Sequence, residues 1–454
     1  MRSLFVLLLS TCVLPLARGV AQPAPPAPPA AEPSGTEQLA AERVADRAAI
    51  ADLARQLDAL TRKQAEADAR NATADEEQKK ALRHAVSFSA APGRGLTLTV
   101  GDDRFSLSLR TRAQIRDTVT LQDDKRTTNE LNVKTLRLWL QGYVLTQDLQ
   151  YVLQLAFGGN DFEKDSSSPV FDAYVEYVRL RDLNIRVGQY FVPFDRARTI
   201  RDFGLQLVDR AQLVGELSLD RDVGITLSSQ DLGGFHHVFG YAVGLFGGDG
   251  KNRFGGAHVG FLYTARFVIR PFGVFDDDLE GDLQRLKRPR LAIGFAGAYN
   301  QNTNRQRSTT GATYTLGTYD YTHAAADLVF KYAGFSFLGE FLYRGNHQGP
   351  RTAMVNNAAI TEYSRSALGF LLQAGYMLHD KVELAARYDD LRAIGNTDPT
   401  LVALAKTTGK EAGGGLNVYL NGHAFKLQAD YAYLFGQKLA GGKHVVRVQL
   451  DASF

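Results

Sequence analysis

The sequence predicts an all-β protein: a 16-stranded antiparallel transmembrane β-barrel, preceded by a signal peptide, a Pro/Ala-rich linker and a short helical or coiled-coil segment. Three observations predict it. From about residue 104 to the end, apolar and polar residues alternate with period two, the spacing of strands with one apolar face. Many of these segments run to about 10–14 residues, longer than ordinary soluble strands and long enough to cross a bilayer at a tilt. The connections alternate between long and short, as expected when one end of a barrel carries loops and the other tight turns.

The bulk numbers narrow the function classes. The 454 residues are 44% hydrophobic and 22% charged, enough for one large core or several ordinary domains. Lys plus Arg (52) nearly balances Asp plus Glu (49), and a net charge of +3 points away from a nucleic-acid partner. A mean hydropathy of −0.20 excludes a bundle of apolar membrane helices.

The N-terminal elements come first. "MRSLFVLLLSTCVLPLARGVAQ" reads as a secretory signal peptide over 1–21. Arg2 gives the charged start, Leu4 to Leu16 the apolar region, and Gly19-Val20-Ala21 the small residues at the cleavage point. The run is too short to span a bilayer as a helix. The single cysteine, Cys12, follows Thr11, whereas a lipidation box has a small Gly or Ala there. Cleavage after Ala21 removes it. Residues 22–35, "QPAPPAPPAAEPSG", form an extended Pro/Ala-rich linker. Residues 36–84 are rich in helix formers and lack proline. Ile50, Leu53, Leu57 and Leu60, with Leu39 in the same register, make a short heptad seam that Arg43 interrupts. The segment suits a solvated spacer and an oligomerising coiled coil equally.

The barrel domain is expected over 100–454. Its sixteen strands fall at about 104–117, 132–146, 149–158, 170–180, 183–192, 222–229, 236–247, 257–270, 289–300, 319–332, 335–344, 364–378, 381–391, 411–420, 424–435 and 444–454. The last segment, "VVRVQLDASF", sets Val446, Val448, Leu450, Ala452 and Phe454 against Arg447, Gln449, Asp451 and Ser453. The connection 271–288 breaks the rhythm: it should be short and is not. Charges are scarce on the outward faces, as lipid contact demands, because a cation at the bilayer midplane costs about 2–4 kcal/mol. Aromatics near strand ends, including Tyr190, Phe191, Tyr299, Tyr332 and Tyr376, suit interfacial girdles.

The inward arginines carry the functional reading. Arg110, Arg112 and Arg116 share the inner face of the first strand without an acid between them. Arg137, Arg186, Arg266, Arg270 and Arg447 also fall on inward faces. The long connection 193–221 carries Arg196, Arg198, Arg201, Arg210 and Arg221, balanced by five acids. Guanidinium groups bind oxyanions in pairs and stay charged. Taken singly, each arginine is expected to brace the wall by pairing with inward acids such as Asp172, Glu176, Asp327, Glu340, Glu383, Asp430 and Asp451. For the Arg110/Arg112/Arg116 stripe, anion contact is the expectation. No nucleotide-binding loop, serine-hydrolase elbow or zinc motif is present, and no cofactor or metal is expected. "FDDDLEGD" (275–282) offers Asp276, Asp278 and Asp282 to a divalent ion, but a solvated acidic turn is the expectation.

Five stretches in order resemble the phosphate-selective porin O and P family: "VKTLRLWLQGYV" (133–144), "FDAYVEYVRLRDLNIRVGQYFVPF" (171–194), "LSLDRDVGITL" (217–227), "VELAARYDDL" (382–391) and the terminal "VVRVQLDASF". The resemblance covers roughly 100–454. It implies a sixteen-stranded, usually trimeric outer-membrane pore of a Gram-negative bacterium, with the third loop folded inside as a constriction and Phe454 as an assembly signal. The expected partners are outer-membrane lipid, small anionic solutes and two further copies in a homotrimer. The sequence lacks a dense lysine cluster, so a general anion pore is the reading rather than strict phosphate specificity. Two alternatives remain: a structural tether whose residues 22–84 contact peptidoglycan or other periplasmic material, and an outer-membrane enzyme, for which no Ser/His pair is evident.

Overall fold

The computed structural model describes residues 35–83, 86–101, 104–123, 125–159, 161–162, 168–253 and 259–454. The signal peptide with Cys12 lies outside the described residues, as does the linker apart from Gly35. The chain divides into two units, one ending at Lys79 and one beginning at Lys80. The first is dominated by a single helix, α1 (Gly35–Arg83), of 49 residues. At 1.5 Å per residue it is about 74 Å long. Its expected seam is open: Leu39, Ile50, Leu53, Leu57 and Leu60 are each more than half exposed.

The second unit begins with a hairpin of β1 (Val86–Ala91) and β2 (Gly95–Val100), which the sequence reading did not anticipate. The barrel follows with β3 (Phe105–Gln122), β4 (Thr128–Val144), β5 (Thr146–Ala156), β6 (Val170–Leu180) and β7 (Leu183–Phe191). Inside the next loop lie α2 (Arg196–Thr199) and α3 (Gln212–Leu217). Then come β8 (Arg221–Ser229), β9 (Phe239–Phe246), β10 (Leu262–Ile269), β11 (Arg290–Thr303), β12 (Tyr319–Tyr332) and β13 (Phe335–Gly345). A separate hairpin, β14 (Arg351–Val355) with β15 (Ala358–Glu362), decorates the following loop. The barrel resumes with β16 (Ala367–His379) and β17 (Val382–Ala393). Helix α4 (Pro399–Thr408) precedes β18 (Lys410–Asn421), β19 (Phe425–Phe435) and β20 (Lys443–Ser453).

Strands β3–β13 and β16–β20 make sixteen, each antiparallel to the next, and β20 returns to β3 from Ser453↔Arg112 to Lys443↔Gln122. Closure leaves these strands without an open edge, the condition for crossing lipid with backbone groups paired. All sixteen expected segments are present with ends shifted by a few residues. The largest extension is β3, which runs on to Gln122 to meet the last strand.

The burial pattern is the reverse of a soluble protein's. Val175, Val187, Val223, Phe295, Phe341 and Leu372 are exposed on the outside, whereas Gln114, Gln154, Asp327, Glu383, Gln449 and Asp451 are buried inside. The inner face is not uniformly polar. Ala325, Val329, Leu338, Leu342 and Leu371 form an apolar seat inside the barrel, filled by Phe194, Leu213, Val214 and Leu217 of the β7–β8 loop. That loop has an apolar side of its own and buries it against the wall. Tyr190 and Phe191 likewise belong inside rather than to a girdle. Tyr190 donates to the Thr226 hydroxyl at 2.8 Å, and the Phe191 ring lies 3.6 Å from the Arg221 guanidinium carbon.

Candidate functional site

Two segments enter the barrel from opposite ends. The β7–β8 loop, residues 192–220, descends from the end bearing the long loops. The β10–β11 connection, residues 270–289, rises from the end bearing the tight turns. The acidic stretch in it is therefore not a solvated turn: Asp277, Glu280 and Asp282 are buried. Arg270 holds Asp277 at 3.0 Å, Arg290 holds Asp282 at 2.6 Å, and Lys331 donates to the carbonyls of Asp276 and Leu279. Each charged group finds a partner, which buried charge requires. The described residues contain no His/Cys/Asp/Glu cluster arranged to hold a metal ion.

The two segments meet inside. Arg196 donates to the Asp277 carboxylate at 3.0 Å, and the Gln206 N–H donates to Glu280 at 2.6 Å. Both are tied to the β12–β19 wall. The N–H groups of Arg196 and Ala197 donate to Glu340, Gln206 donates to Glu383, and Lys426 donates to the carbonyls of Phe203 and Leu205. These contacts fill this half of the lumen, and open space remains on the side walled by β3–β8.

Two cavities stand out in that space. The larger, about 800 Å³, is lined by ten cationic side chains (Arg116, Lys134, Arg137, Arg198, Arg201, Arg210, Arg221, Lys251, Arg305 and Arg307) and four aspartates (Asp161, Asp202, Asp209 and Asp220). The smaller, about 200 Å³, is lined by Arg110, Arg112, Trp139, Gln141, Arg201, Phe203 and Ser453, with no acid among them. Trp139 and Arg201 line both and mark their junction. The guanidinium carbons of Arg110 and Arg201 each lie 5.7 Å from the Trp139 ring centre, within the range at which a ring face attracts a cation.

The predicted arginines divide by what holds them. Arg112 is paired with Asp451 at 2.7 Å and lies over the Phe203 ring. Arg116 is held by Asp209 at 2.9 Å, the Val208 carbonyl and Gln449. Arg137 bridges Asp161 and Asp202. Arg198 pairs with Asp220, Arg210 with Asp202, and Arg221 with Asp172. Arg186 pairs with Glu176, Arg447 with Asp430, Arg196 and Arg266 with Asp327, and Arg270 with Asp277. These last five line neither cavity, and the structure uses them as braces. Arg110 and Arg201 have no carboxylate partner among the described residues; Arg110 donates to the Gln141 side chain at 3.0 Å.

The cavity-lining loop aspartates Asp202, Asp209 and Asp220 stay ionised, whereas burial pushes the Asp195 carboxyl of the same loop up to about 6. Burial pushes Asp209 up, but the charges of Arg116, Lys134 and Arg447 more than offset it and hold the carboxyl at about 2. Burial acts on Asp202 in the same sense, and Arg137, Arg210 and Arg198 hold it well below the usual carboxylate range.

Sequence reasoning named every arginine lining the smaller cavity but missed Trp139, the only tryptophan. Its signal was readable. Trp139 lies at i+2 from Arg137 and i−2 from Gln141, so it occupies the polar face of β4. Arg305 and Arg307 were missed because they reach the cavity from the β11–β12 loop, where no period fixes direction.

No protein-family model matches the chain, and no curated protein is similar to it. The resemblance to phosphate-selective porins therefore rests on the quoted stretches alone. Among solved structures, OmpF of Salmonella typhi in complex with daunomycin is similar with a TM-score of 0.50 at 12% identity, covering 78% of this chain and 99% of that one. The outer-membrane channel DcaP of Acinetobacter baumannii gives 0.48 at 14% identity, covering 77% and 97%. An anion-selective porin from Comamonas acidovorans gives 0.47 at 14% identity, covering 77% and 99%. At such identities the OmpF match speaks for the fold alone: the chain is a sixteen-stranded antiparallel transmembrane β-barrel.

Proposed function

We propose that this chain is an outer-membrane porin through which small anions diffuse passively along the β3–β8 side of the lumen. One observation carries the reading. The smaller cavity is lined by three arginines and no acid, and the larger by ten cations against four aspartates. In a narrow passage such an excess attracts counter-ions and repels cations. Phosphate belongs among the solutes as one oxyanion of several. The test is the reversal potential across a planar bilayer under a KCl gradient, repeated with potassium phosphate. Anion selectivity is expected; cation selectivity overturns the reading.

The exposed apolar seam of α1 supports assembly of three copies, with the helices as a coiled coil, because such a seam gains by packing against its own kind. Cross-linking of the intact protein and of a form lacking 36–84 tests it. The length of the helix also supports a second reading, in which 22–84 reaches peptidoglycan and the barrel is the anchor. Deleting 22–84 separates the two: an unaltered envelope with intact conductance removes the tether.

A further inference from the structure

Outside the lumen, one arc of the long-loop rim is basic. From Pro399 to Lys410 and from Phe435 to Lys443 the chain has lysines and no acid. These stretches belong to the β17–β18 and β19–β20 connections, and the two touch: the Gln437 N–H donates to the Lys406 carbonyl at 3.2 Å. Lys406, in the last turn of α4, and Lys438 are exposed, and Lys410 is half-buried at the start of β18. Among the described residues, no ion pair or side-chain hydrogen bond holds any of the three.

The register fixes which way this arc faces. Asp390, Lys410 and Phe435 stand in one row across β17, β18 and β19. Tyr388, Ala412, Tyr433 and His444 stand in another row just below, which reaches β20. Both rows are on the outer face, because the residues between them, Asp389 and Glu411, are buried inside. Arg392 pairs with Asp390 at 2.7 Å, which cancels the one outward acid of the row. Beneath the lysines the outer face is aromatic. Tyr433 stacks on Phe435 with ring centres 5.4 Å apart and on His444 at 4.5 Å, and the Tyr431 hydroxyl shares a hydrogen bond with His444 Nδ1 at 2.7 Å. Outward aromatics at strand ends lie at the headgroup level of a bilayer. Leu439, next to Lys438, is 69% exposed and adds apolar surface there.

Resting on the reading of this barrel as an outer-membrane protein, we propose that Lys406, Lys410 and Lys438 form a docking site for a phosphorylated glycolipid of the outer leaflet. The charge is complementary: headgroup phosphates lie at the level the aromatics mark, and three lysines above it have no acid to satisfy them. The residue type fits a lipid. A lysine is a point charge on a flexible stem, suited to a headgroup whose place is set by the bilayer, whereas the fixed forks of the lumen are arginines. The stems lie along the aromatic and leucine surface while the ammonium groups reach the phosphates, and that surface meets the acyl end of the headgroup.

The test uses the intact protein in phosphatidylcholine nanodiscs with excess EDTA, so that no divalent ion bridges phosphates to carboxylates. Lipopolysaccharide, or the same preparation stripped of its phosphates, is titrated in and bound lipid is read by native mass spectrometry. The variants are Lys406→Gln/Lys410→Gln/Lys438→Gln together and Lys287→Gln/Arg288→Gln, which removes cations from the tight-turn end. The triple variant is expected to raise the half-saturating concentration about tenfold or more, each lysine at a charged surface contributing severalfold. The tight-turn variant is expected to bind as the natural chain does, and the dephosphorylated lipid as weakly as the triple variant binds the phosphorylated one. Added inorganic phosphate at the same phosphate concentration is expected to leave the lipid bound; displacement would assign the lysines to free phosphate and overturn the lipid. Because the three lysines line neither cavity, the chloride/potassium ratio of the triple variant in planar bilayers is expected to be unchanged. If the triple variant binds as the natural chain does, or if removing the phosphates from the lipid changes nothing, this site is wrong while the channel reading stands. A natural chain that binds the lipid but conducts no ions overturns the channel reading and leaves the site. Recovery of the natural chain in the inner-membrane fraction overturns both.

Discussion

Arg112 and Asp451 lie 2.7 Å apart across the seam where the last strand meets the first, and both are buried. Gln114 donates to the same carboxylate at 2.8 Å. The pair belongs to the barrel's closure as much as to its lumen. Replacing Arg112 with alanine leaves Asp451 without its counter-charge and is expected to destabilise the barrel by about 3–5 kcal/mol. The temperature at which the folded barrel loses its fast gel mobility reads this out. Removing both partners together is expected to cost less than removing either.

Arg110 and Arg112 are neighbours on one face but have different tasks, so charge reversal separates them. Arg110→Glu is expected to shift the reversal potential toward cations with normal yield of folded protein, because Arg110 has only Gln141 as a side-chain hydrogen-bond partner. Arg112→Glu sets two carboxylates face to face and is expected to fail in assembly. Equal effects of the two on selectivity, with equal yields, would contradict the division into free and braced arginines.

Selectivity is expected to be flat from about pH 4 to pH 9. Asp209, with its carboxyl at about 2, and Asp202, lower than usual, are ionised throughout that range, and arginine does not titrate within it. The sign for stability follows. A depressed carboxyl pKa contributes stability above the unfolded value near 3.8, and that contribution is lost as pH falls through about 2. The Asp202 and Asp209 contacts of loop 192–220 are therefore expected to release only in strong acid, seen as a rise in conductance. Anion preference that fades above pH 8 would assign the field to lysines rather than arginines.

The 270–289 connection fills part of the lumen from the tight-turn end, so shortening it widens the passage. Replacing 274–286 by a Gly-Gly turn is expected to raise single-channel conductance about twofold or more while anion preference falls little. Arg196 loses Asp277 and keeps Asp327, Lys331 loses the carbonyls of Asp276 and Leu279, and some loss of thermal stability accompanies the change. Unchanged conductance would mean the passage is limited elsewhere.

The barrel was legible because its two demands, apolar outside and polar inside, write themselves at period two. Every strand from β3 to β20 that closes the wall was visible for that reason. The β1–β2 hairpin was not. Val86, Phe88 and Ala90 alternate, but six residues followed by a three-residue turn fall below the length that marked the others. The candidate site was half legible. Arg110 and Arg201 were found because charge on an inner face is conspicuous. Which arginines have carboxylate partners was not legible, since the partners lie far apart in sequence: Arg112 with Asp451, Arg196 with Asp327, Arg116 with Asp209. The plug at 270–289 announced itself only as a break in rhythm, because folding inward depends on the space the barrel leaves.

The hairpin has a consequence for the register in which the wall closes. Residues 96–99 of β2 occupy the β3 edge from Ser106 to Leu109, and β20 takes it from Arg112 onward. Between them Phe454 exchanges both backbone hydrogen bonds with Thr111, and the Gly93 N–H donates to the Ser453 carbonyl. Gly95 has φ +73°, and a side chain there would strike the Leu109 carbonyl. The edge of β3 is thus shared between two strands, with β2 bounding the stretch that β20 takes. A slip of two residues past that stop would drive Phe454 into the hairpin, so the hairpin holds the register in which the seam closes.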